Sequence, residues 1–282
     1  MGCIRRIIVP RHRPSVLARV ALGVALLVLL ALPRAQAGPR IDDLGCDRPL
    51  RVAVFEFGPW YRAGTGITID LLKTITAMTG CTFQPVILSR PAAWDALRGG
   101  TVDIIPNSIR TTERDRLARF VTFLRIRNLM IVRADRENSL GSIDSFVADR
   151  SARLGIIRGF RYGSYFDLRL QSLLGDDRVT AVDDPRDLVE QLRKGELDAI
   201  LLPSGHYFAY VGDMDRQRAF RVLDTTAAGP IPSGFALSRG HFSGVQVDNW
   251  LRLIEALVLD RTMENLIAGH LPPRIAATIP YR

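Results

Sequence analysis

Twice along this chain a short apolar, β-prone run alternates with a helical pattern in the order strand, helix, strand, helix, strand. The first series starts with Leu50 to Phe55 (LRVAVF), followed by apolar residues at helical spacing from Ile67 to Met78, stopped by Gly80. Cys81 to Leu88 (CTFQPVIL) gives the second strand. Pro91 to Arg98 gives a short helix with Pro at its start and Gly99-Gly100 at its end, and Val102, Ile104 and Ile105 give the third strand. The second series has strands near 153–157, 178–182 and 197–202. Its helices run from the glycine-flanked Gly159 to Gly163 through 174, and over 185–192. Such alternation predicts doubly wound, mostly parallel sheets, and two series predict two lobes. Further strands are expected at Leu129–Arg133 and Gly234–Ser238, a long amphipathic helix from about 245 to 258, and a last helix over 261–268.

The first 37 residues read as an export signal. Arg5, Arg6, Arg11, Arg13 and Arg19 precede an uncharged run from Val20 to Pro33, and Ala35-Gln36-Ala37 fits the small-residue cleavage pattern. The run is short for a membrane span. Cleavage after Ala37 and a periplasmic location are therefore expected. The formal charge of +9 is largely this segment, which holds six of the 38 basic residues and no acid; the remainder carries 32 basic against 29 acidic side chains. Those charges are interleaved, so nucleic-acid binding is disfavoured.

About 245 residues are left, enough for one large or two medium domains. Two cysteines remain, Cys46 just before the first strand and Cys81 at the start of the second. In an oxidising compartment, with those strands as parallel neighbours, they are expected to form a disulfide. No HExxH, CxxC, GxSxG or GxGxxG pattern occurs after residue 37, so the sequence points to no metal, no cofactor and no nucleophile elbow.

The stretch Thr101 to Phe120 (TVDIIPNSIRTTERDRLARF) carries the chemistry. Pro106-Asn107-Ser108 breaks the strand, Thr111-Thr112 offers a hydroxyl cap, and a helix is expected to follow, with Glu113 and Arg114 in its first turn. Glu113 suits the helix dipole there and Arg114 does not, unless an anion sits opposite. Hydroxyls, free backbone N–H groups and one Arg at a strand's carboxyl end make an anion cradle. A solvated Arg114 paired with Asp115 is the plainer alternative.

LRVAVFEFGPWY, GITIDLLKTITAMTG, WDALRGGTVDII, TTERDRLARF, RLGIIRGFRYGS, GELDAILL and GFALSRG occur in an order that resembles the periplasmic solute-binding proteins of the type II fold, closest to family 3, which serves polar amino-acid ABC importers. The resemblance runs over roughly Leu50 to Leu271. It implies two α/β lobes joined by two crossing segments, near Leu129–Arg133 and Ala228–Gly234. Lobe one would cover 47–134 plus 230–282 and lobe two 135–229, with a ligand in the cleft and closure by a hinge motion.

By the same resemblance Arg114 grips a ligand carboxylate, with the Thr111 or Ser108 hydroxyl beside it. Phe55, Phe57 and Trp60 lie where the family has an aromatic wall; ordinary packing would also account for them. Arg161 and Tyr162 open a lobe-two helix, either as a second anion contact or as a contact between lobes. Asp70 and Asp103 match the family but read as loop ties. His206 follows a strand end, where it could line the cleft or simply be a hydrogen-bonded structural residue.

The expected function is a periplasmic receptor for a small anionic or zwitterionic solute, a monomer with a transient permease partner and no catalytic residues. The alternatives are a dehydratase of the cyclohexadienyl or arogenate type on the same fold, with Glu56 and His206 as unsupported acid–base candidates, or a sensor subunit without transport. One departure bears on the ligand. Many relatives place an Asp just after the strand matching Leu197–Leu202, where it holds an ammonium; here that position is Pro203. A non-amino anion is therefore expected, unless Glu56 supplies the charge from the other lobe.

Overall fold

The computed structural model describes residues 44–173, 175–212 and 218–280. The export-signal reading of residues 1–37 lies outside them. No helix among the described residues is long and apolar enough to cross a membrane.

The strands are β1 (Leu50–Val54), β2 (Phe83–Ile87), β3 (Ile104–Ile109), β4 (Ala118–Ile126), β5 (Asn128–Arg133), β6 (Leu154–Ile157), β7 (Val179–Val182), β8 (Ala199–Pro203), β9 (Phe220–Val222) and β10 (Ile231–Ser238). They form two five-stranded sheets, ordered β2-β1-β3-β10-β4 and β7-β6-β8-β5-β9. In each sheet three strands pair in parallel, and a reversed strand separates them from the outer one. The reversed strands, β10 and β5, are the ones the chain enters on passing between sheets. The two lobes therefore repeat one plan.

The helices are α1 (Ile67–Thr79), α2 (Arg90–Arg98), α3 (Ile143–Ala148), α4 (Ser164–Gln171), α5 (Pro185–Arg193), α6 (Ser204–Tyr210), α7 (Gly244–Leu259), α8 (Thr262–Ala268) and α9 (Pro273–Ala276). Apolar residues at helical spacing bury Ile67, Leu71, Leu72 and Ile75 of α1 under the first sheet, and Gly80 in the left-handed region ends that helix. The α7 helix starts with a capping box between Ser243 and Gln246. It is pinned by Trp250, whose Nε1–H donates to the Leu44 carbonyl at 2.9 Å.

Two expectations need correction. Leu129–Arg133 is not a crossing segment within lobe one; β5 pairs with β8 and β9 in the second sheet. The first crossing is the short turn between Ile126 and Asn128, so the lobe-one boundary at 134 moves back to about 127. Nor does a helix follow Thr111: only a 3-10 turn forms, Arg114–Arg116, before the chain enters β4. Phe120, Val121, Phe123 and Leu124 are needed against β10, and that ladder overrides the capping signal.

Cys46 and Cys81 are joined, with their Cα atoms 5.3 Å apart. β1 and β2 are parallel, Leu50 facing Phe83, which brings both cysteines to the same end of the sheet.

A buried aspartate is used the same way in both lobes. Asp103 accepts from the Arg51 backbone N–H at 2.8 Å, while Arg51 Nη2 donates to the Gly100 carbonyl. Asp198 accepts from the Arg153 N–H at 2.9 Å, while Arg153 Nη2 donates to Gly195. Arg48 adds two further bonds to Asp103, and these partners hold its carboxyl well below the usual range against the cost of burial. Asp70 is tied to His270 at 2.9 Å and to Lys73. Asp70 and Asp103, like Asp198, thus act as structural ties.

Candidate functional site

The carboxyl ends of β1 and β3 in one lobe meet β8, α6 and the loop after β6 in the other. β1 runs straight into Phe55 and Phe57. Phe57 lies 5.6 Å, centroid to centroid, from Phe160 and 4.1 Å from the His206 ring, both in lobe two. Two glycines permit the close approach. Gly58 (φ +60°) faces His206 and Tyr210, and Gly159 (φ +67°) faces Pro91; at Gly58 an added Cβ would fall 2.6 Å from the Tyr210 hydroxyl.

Arg90 fills the centre. It is the first residue of α2, whose N-cap is Ser89 and whose second residue is Pro91. Only 6% of Arg90 is exposed. Its guanidinium lies 3.9 Å over the Phe55 ring, 4.3 Å over Phe57 and 5.1 Å from Phe160, an aromatic cage built from both lobes. Its Nε and Nη2 find no hydrogen-bond partner among the described residues. Burial, and then the charge of Arg114, push its pKa down to about 9, so it stays cationic at neutral pH.

Arg114 lies beside it. Thr111 Oγ1 accepts from the Arg114 N–H at 3.2 Å. The Arg114 guanidinium stacks 4.3 Å from the Trp94 ring, donates through Nη1 to the Ile109 carbonyl at 2.9 Å, and reaches across to the Gly159 carbonyl through Nη2 at 3.1 Å. Burial and then Arg161 lower its pKa to about 10. No carboxylate among the described residues hydrogen-bonds to the Arg90 or Arg114 guanidinium.

Two more polar side chains at this centre are unsatisfied. His206 is fully buried, and neither ring nitrogen has a hydrogen-bond partner of good geometry among the described residues, the Phe57 backbone lying just close enough to pull on the ring. Burial, and then Arg90, push its pKa down to about 3, against a weak opposite pull from the Phe57 backbone, so it is neutral. Asn128, opposite Pro203 where β5 pairs with β8, donates to the Tyr162 carbonyl at 3.0 Å, while its Oδ1 has no partner among the described residues. Buried polar groups are nearly always paired, so a cluster of exceptions calls for an explanation.

A histidine that stays neutral when folded but accepts a proton when unfolded makes the fold acid-sensitive. Stability is complete above the unfolded value of 6.5 and is lost as pH falls from there toward 3. Between pH 7 and pH 5 this contribution is expected to be about 2 kcal/mol. Denaturant titrations of wild type and His206→Gln should show it as a difference in slope; parallel pH profiles would contradict it.

The residues singled out from the sequence fall into three groups. Thr111, Arg161 and Tyr162 line one interlobe hollow of about 1000 Å³, and Arg114 and Arg161 share a neighbouring one of about 240 Å³. Phe57 is at the centre. Arg161 makes an interlobe ion pair with Glu113 at 3.2 Å. Tyr162, Ser108 and Trp60 also have local work. The Tyr162 hydroxyl is bonded to the Ile157 N–H and the Leu201 carbonyl within lobe two. Ser108 Oγ donates to the Ile105 carbonyl, and Trp60 is buried in the lobe-one core, its carbonyl accepting from the Thr68 N–H. The aromatic contacts at the centre run through Phe55, Phe57 and Phe160 rather than Trp60. Asp167 accepts from the Tyr162 N–H and is raised by burial.

Sequence reading missed Arg90, Asn128 and Phe160. For Arg90 a signal was present. Ser89-Arg90-Pro91 places a cation at a helix start, the misplacement from which Arg114 was singled out.

Solved structures share this architecture at low identity. ArgBP from T. maritima, in a mutant form, aligns at 18% identity over 82% of this chain and 98% of its own, with a TM-score of 0.64. A histidine kinase sensor domain with similarity to periplasmic binding proteins aligns at 16% identity over 80% and 97%, TM-score 0.66. An ancestral amino acid-binding protein, a precursor of cyclohexadienyl dehydratase, aligns at 18% over 82% and 99%, TM-score 0.64. No curated protein sequence matches. The model of the bacterial extracellular solute-binding proteins, family 3, matches residues 55–202, more than half of the chain, and this protein belongs to that family.

Proposed function

We propose that this protein is an extracytoplasmic receptor that captures a small anionic solute between its lobes and hands it to the permease of an ABC importer. The observation that carries this reading is the pair of buried guanidiniums, Arg90 and Arg114, facing the lobe junction with no carboxylate among the described residues bonded to either. An uncompensated buried cation costs several kcal/mol, and an anionic ligand removes that cost. The 3-10 turn at Arg114 and the interlobe contacts to Gly159 give closure a means of sensing the ligand.

Catalysis is less well supported. His206 is a very weak base where it sits, and the Glu56 carboxylate accepts from the Ala63 N–H in its own loop. A sensory role would begin with the same binding step; whether solute uptake depends on the protein separates the two.

Calorimetry of the purified protein against organic acids, amino acids and neutral sugars tests the reading. An organic acid is expected to bind with micromolar affinity or better. Arg114→Ala should weaken that binding by about 2 kcal/mol or more. Binding confined to uncharged or cationic solutes would overturn the proposal.

A further inference from the structure

We propose that Arg90 reads a carboxylate of the ligand, and that the ligand is a hydroxycarboxylate, carrying a hydroxyl where an amino acid carries its ammonium. This rests on the receptor reading above and specifies its ligand.

The two unpartnered nitrogens of Arg90, Nε and Nη2, form one edge of the guanidinium. Elsewhere in this chain that edge grips carboxylates. Arg51 uses it on Asp103 at 3.1 and 2.8 Å, Arg169 on Asp144 at 2.7 and 3.1 Å, and Arg261 on Glu264 at 3.2 and 2.8 Å. Each of those partners is an acid of the protein. Arg90 alone of the four is buried at a lobe junction with the edge empty, its flat faces held by Phe55, Phe57 and Phe160. The cage fixes the plane of the guanidinium, so the edge has a set direction, which suits a planar two-oxygen anion.

The other unsatisfied atoms define what else the ligand carries. Asn128 Oδ1 can only accept. A neutral His206 has one nitrogen that donates and one that accepts. The complement to this set is a group that both donates and accepts, which is a hydroxyl. An ammonium could donate to Asn128, but it would sit beside two guanidiniums, and the nearby carboxylate, Asp167, is already engaged by the Tyr162 N–H. Pro203 stands next to Asn128 in the ladder, and Asp167 is turned to the Tyr162 N–H. Desolvating an ammonium in such surroundings is unfavourable.

The test uses acids matched in skeleton: lactate, alanine and propionate; 2-hydroxyglutarate, glutamate and glutarate; phenyllactate, phenylalanine and phenylpropionate. In calorimetry the hydroxy acid of at least one set is expected to bind more than about tenfold tighter than its amino and unsubstituted counterparts. Arg90→Lys keeps the charge and loses the two-donor edge, and should weaken that acid by at least about tenfold. Asn128→Asp supplies the missing carboxylate and should shift preference toward the amino acid, an effect that mere loss of structure would not produce.

An amino acid that binds wild type as well as its hydroxy counterpart overturns the hydroxycarboxylate assignment while leaving the receptor reading intact. Unchanged affinity in Arg90→Lys removes the role of Arg90. If that variant does not fold, the Arg90 Nε–H resonance of wild type decides: no shift on saturation with the acid removes the role. Failure of every acid to bind wild type takes the receptor reading with it.

Discussion

Replacing Cys46 and Cys81 together by alanine is expected to destabilise the protein by about 4 kcal/mol and to lower its melting temperature by roughly 10 °C. The bridge joins residues 35 apart in sequence, and a loop of that length has appreciable closure entropy in the unfolded chain. Its location adds to the expectation. The other fixings of the segment entering β1 are side-chain bonds: the Leu44 carbonyl accepts from Trp250 Nε1, the Gly45 carbonyl faces His241 Nε2 at 3.0 Å, and the half-exposed Arg48 donates to Asp103. β2 is an edge strand, paired on one side only and interrupted by Pro85, which has no N–H to give the ladder. The disulfide thus ties an entry segment to a weak edge. Denaturant unfolding of the double variant against the oxidised protein measures the effect, and a loss below about 1 kcal/mol would show that these other contacts suffice.

The interlobe centre is insulated from that edge. Phe57 and Arg90 sit at the carboxyl ends of β1 and β2, while the cysteines sit at their starts. A cysteine variant that stays folded should therefore bind ligand with nearly wild-type affinity, so stability and recognition can be measured separately.

The two α/β series were legible because apolar runs, helical spacing and stop glycines agreed with one another at every step. Leu50–Phe55, Ile67–Gly80 and Leu197–Leu202 are examples. The strand β4 was not legible. ARFVTFLRI alternates imperfectly and follows a strong capping signal, and only its partner β10, more than a hundred residues away, decides that it is extended. The reversed strands β5 and β10 illustrate a related limit. LMIVR and GFALS read plainly as strands, but nothing local says which sheet each joins.

The candidate site divides in the same way. Arg114 could be found from its own neighbours, as could the aromatic loop around Phe57. Arg90, Asn128 and His206 become a group only through folding, because they come from α2, β5 and α6 in different lobes. Their shared property, a buried hydrogen-bonding atom without a partner among the described residues, is not a property of sequence at all. Pro203 lies between these cases. Its identity already argued against an ammonium, and the ladder then placed it opposite Asn128.

Gly234→Ala is expected to cost about 3 kcal/mol or more, a large effect for the addition of one methyl group. Gly234 lies in β10 where the strand is flanked on both sides, facing Ser108 of β3 and Thr122 of β4, and the register slips beside it in both ladders. A Cβ there would fall 1.9 Å from the Val121 carbonyl oxygen and 2.8 Å from the Thr122 Cα. These are backbone atoms in a paired strand, so no rotamer change relieves the clash; β4 or β10 must move by more than an ångström. On one side the movement would strain the Ser233 Oγ–H bond to the Ser108 carbonyl. On the other it would disturb the packing of Phe123 against Phe235 at 5.0 Å. The same strand carries the chain back from lobe two, so the damage reaches the end of β3 that leads to Arg114. Equilibrium unfolding of Gly234→Ala measures the cost, and a variant within 1 kcal/mol of wild type would mean that β4 and β10 do not approach as closely as described.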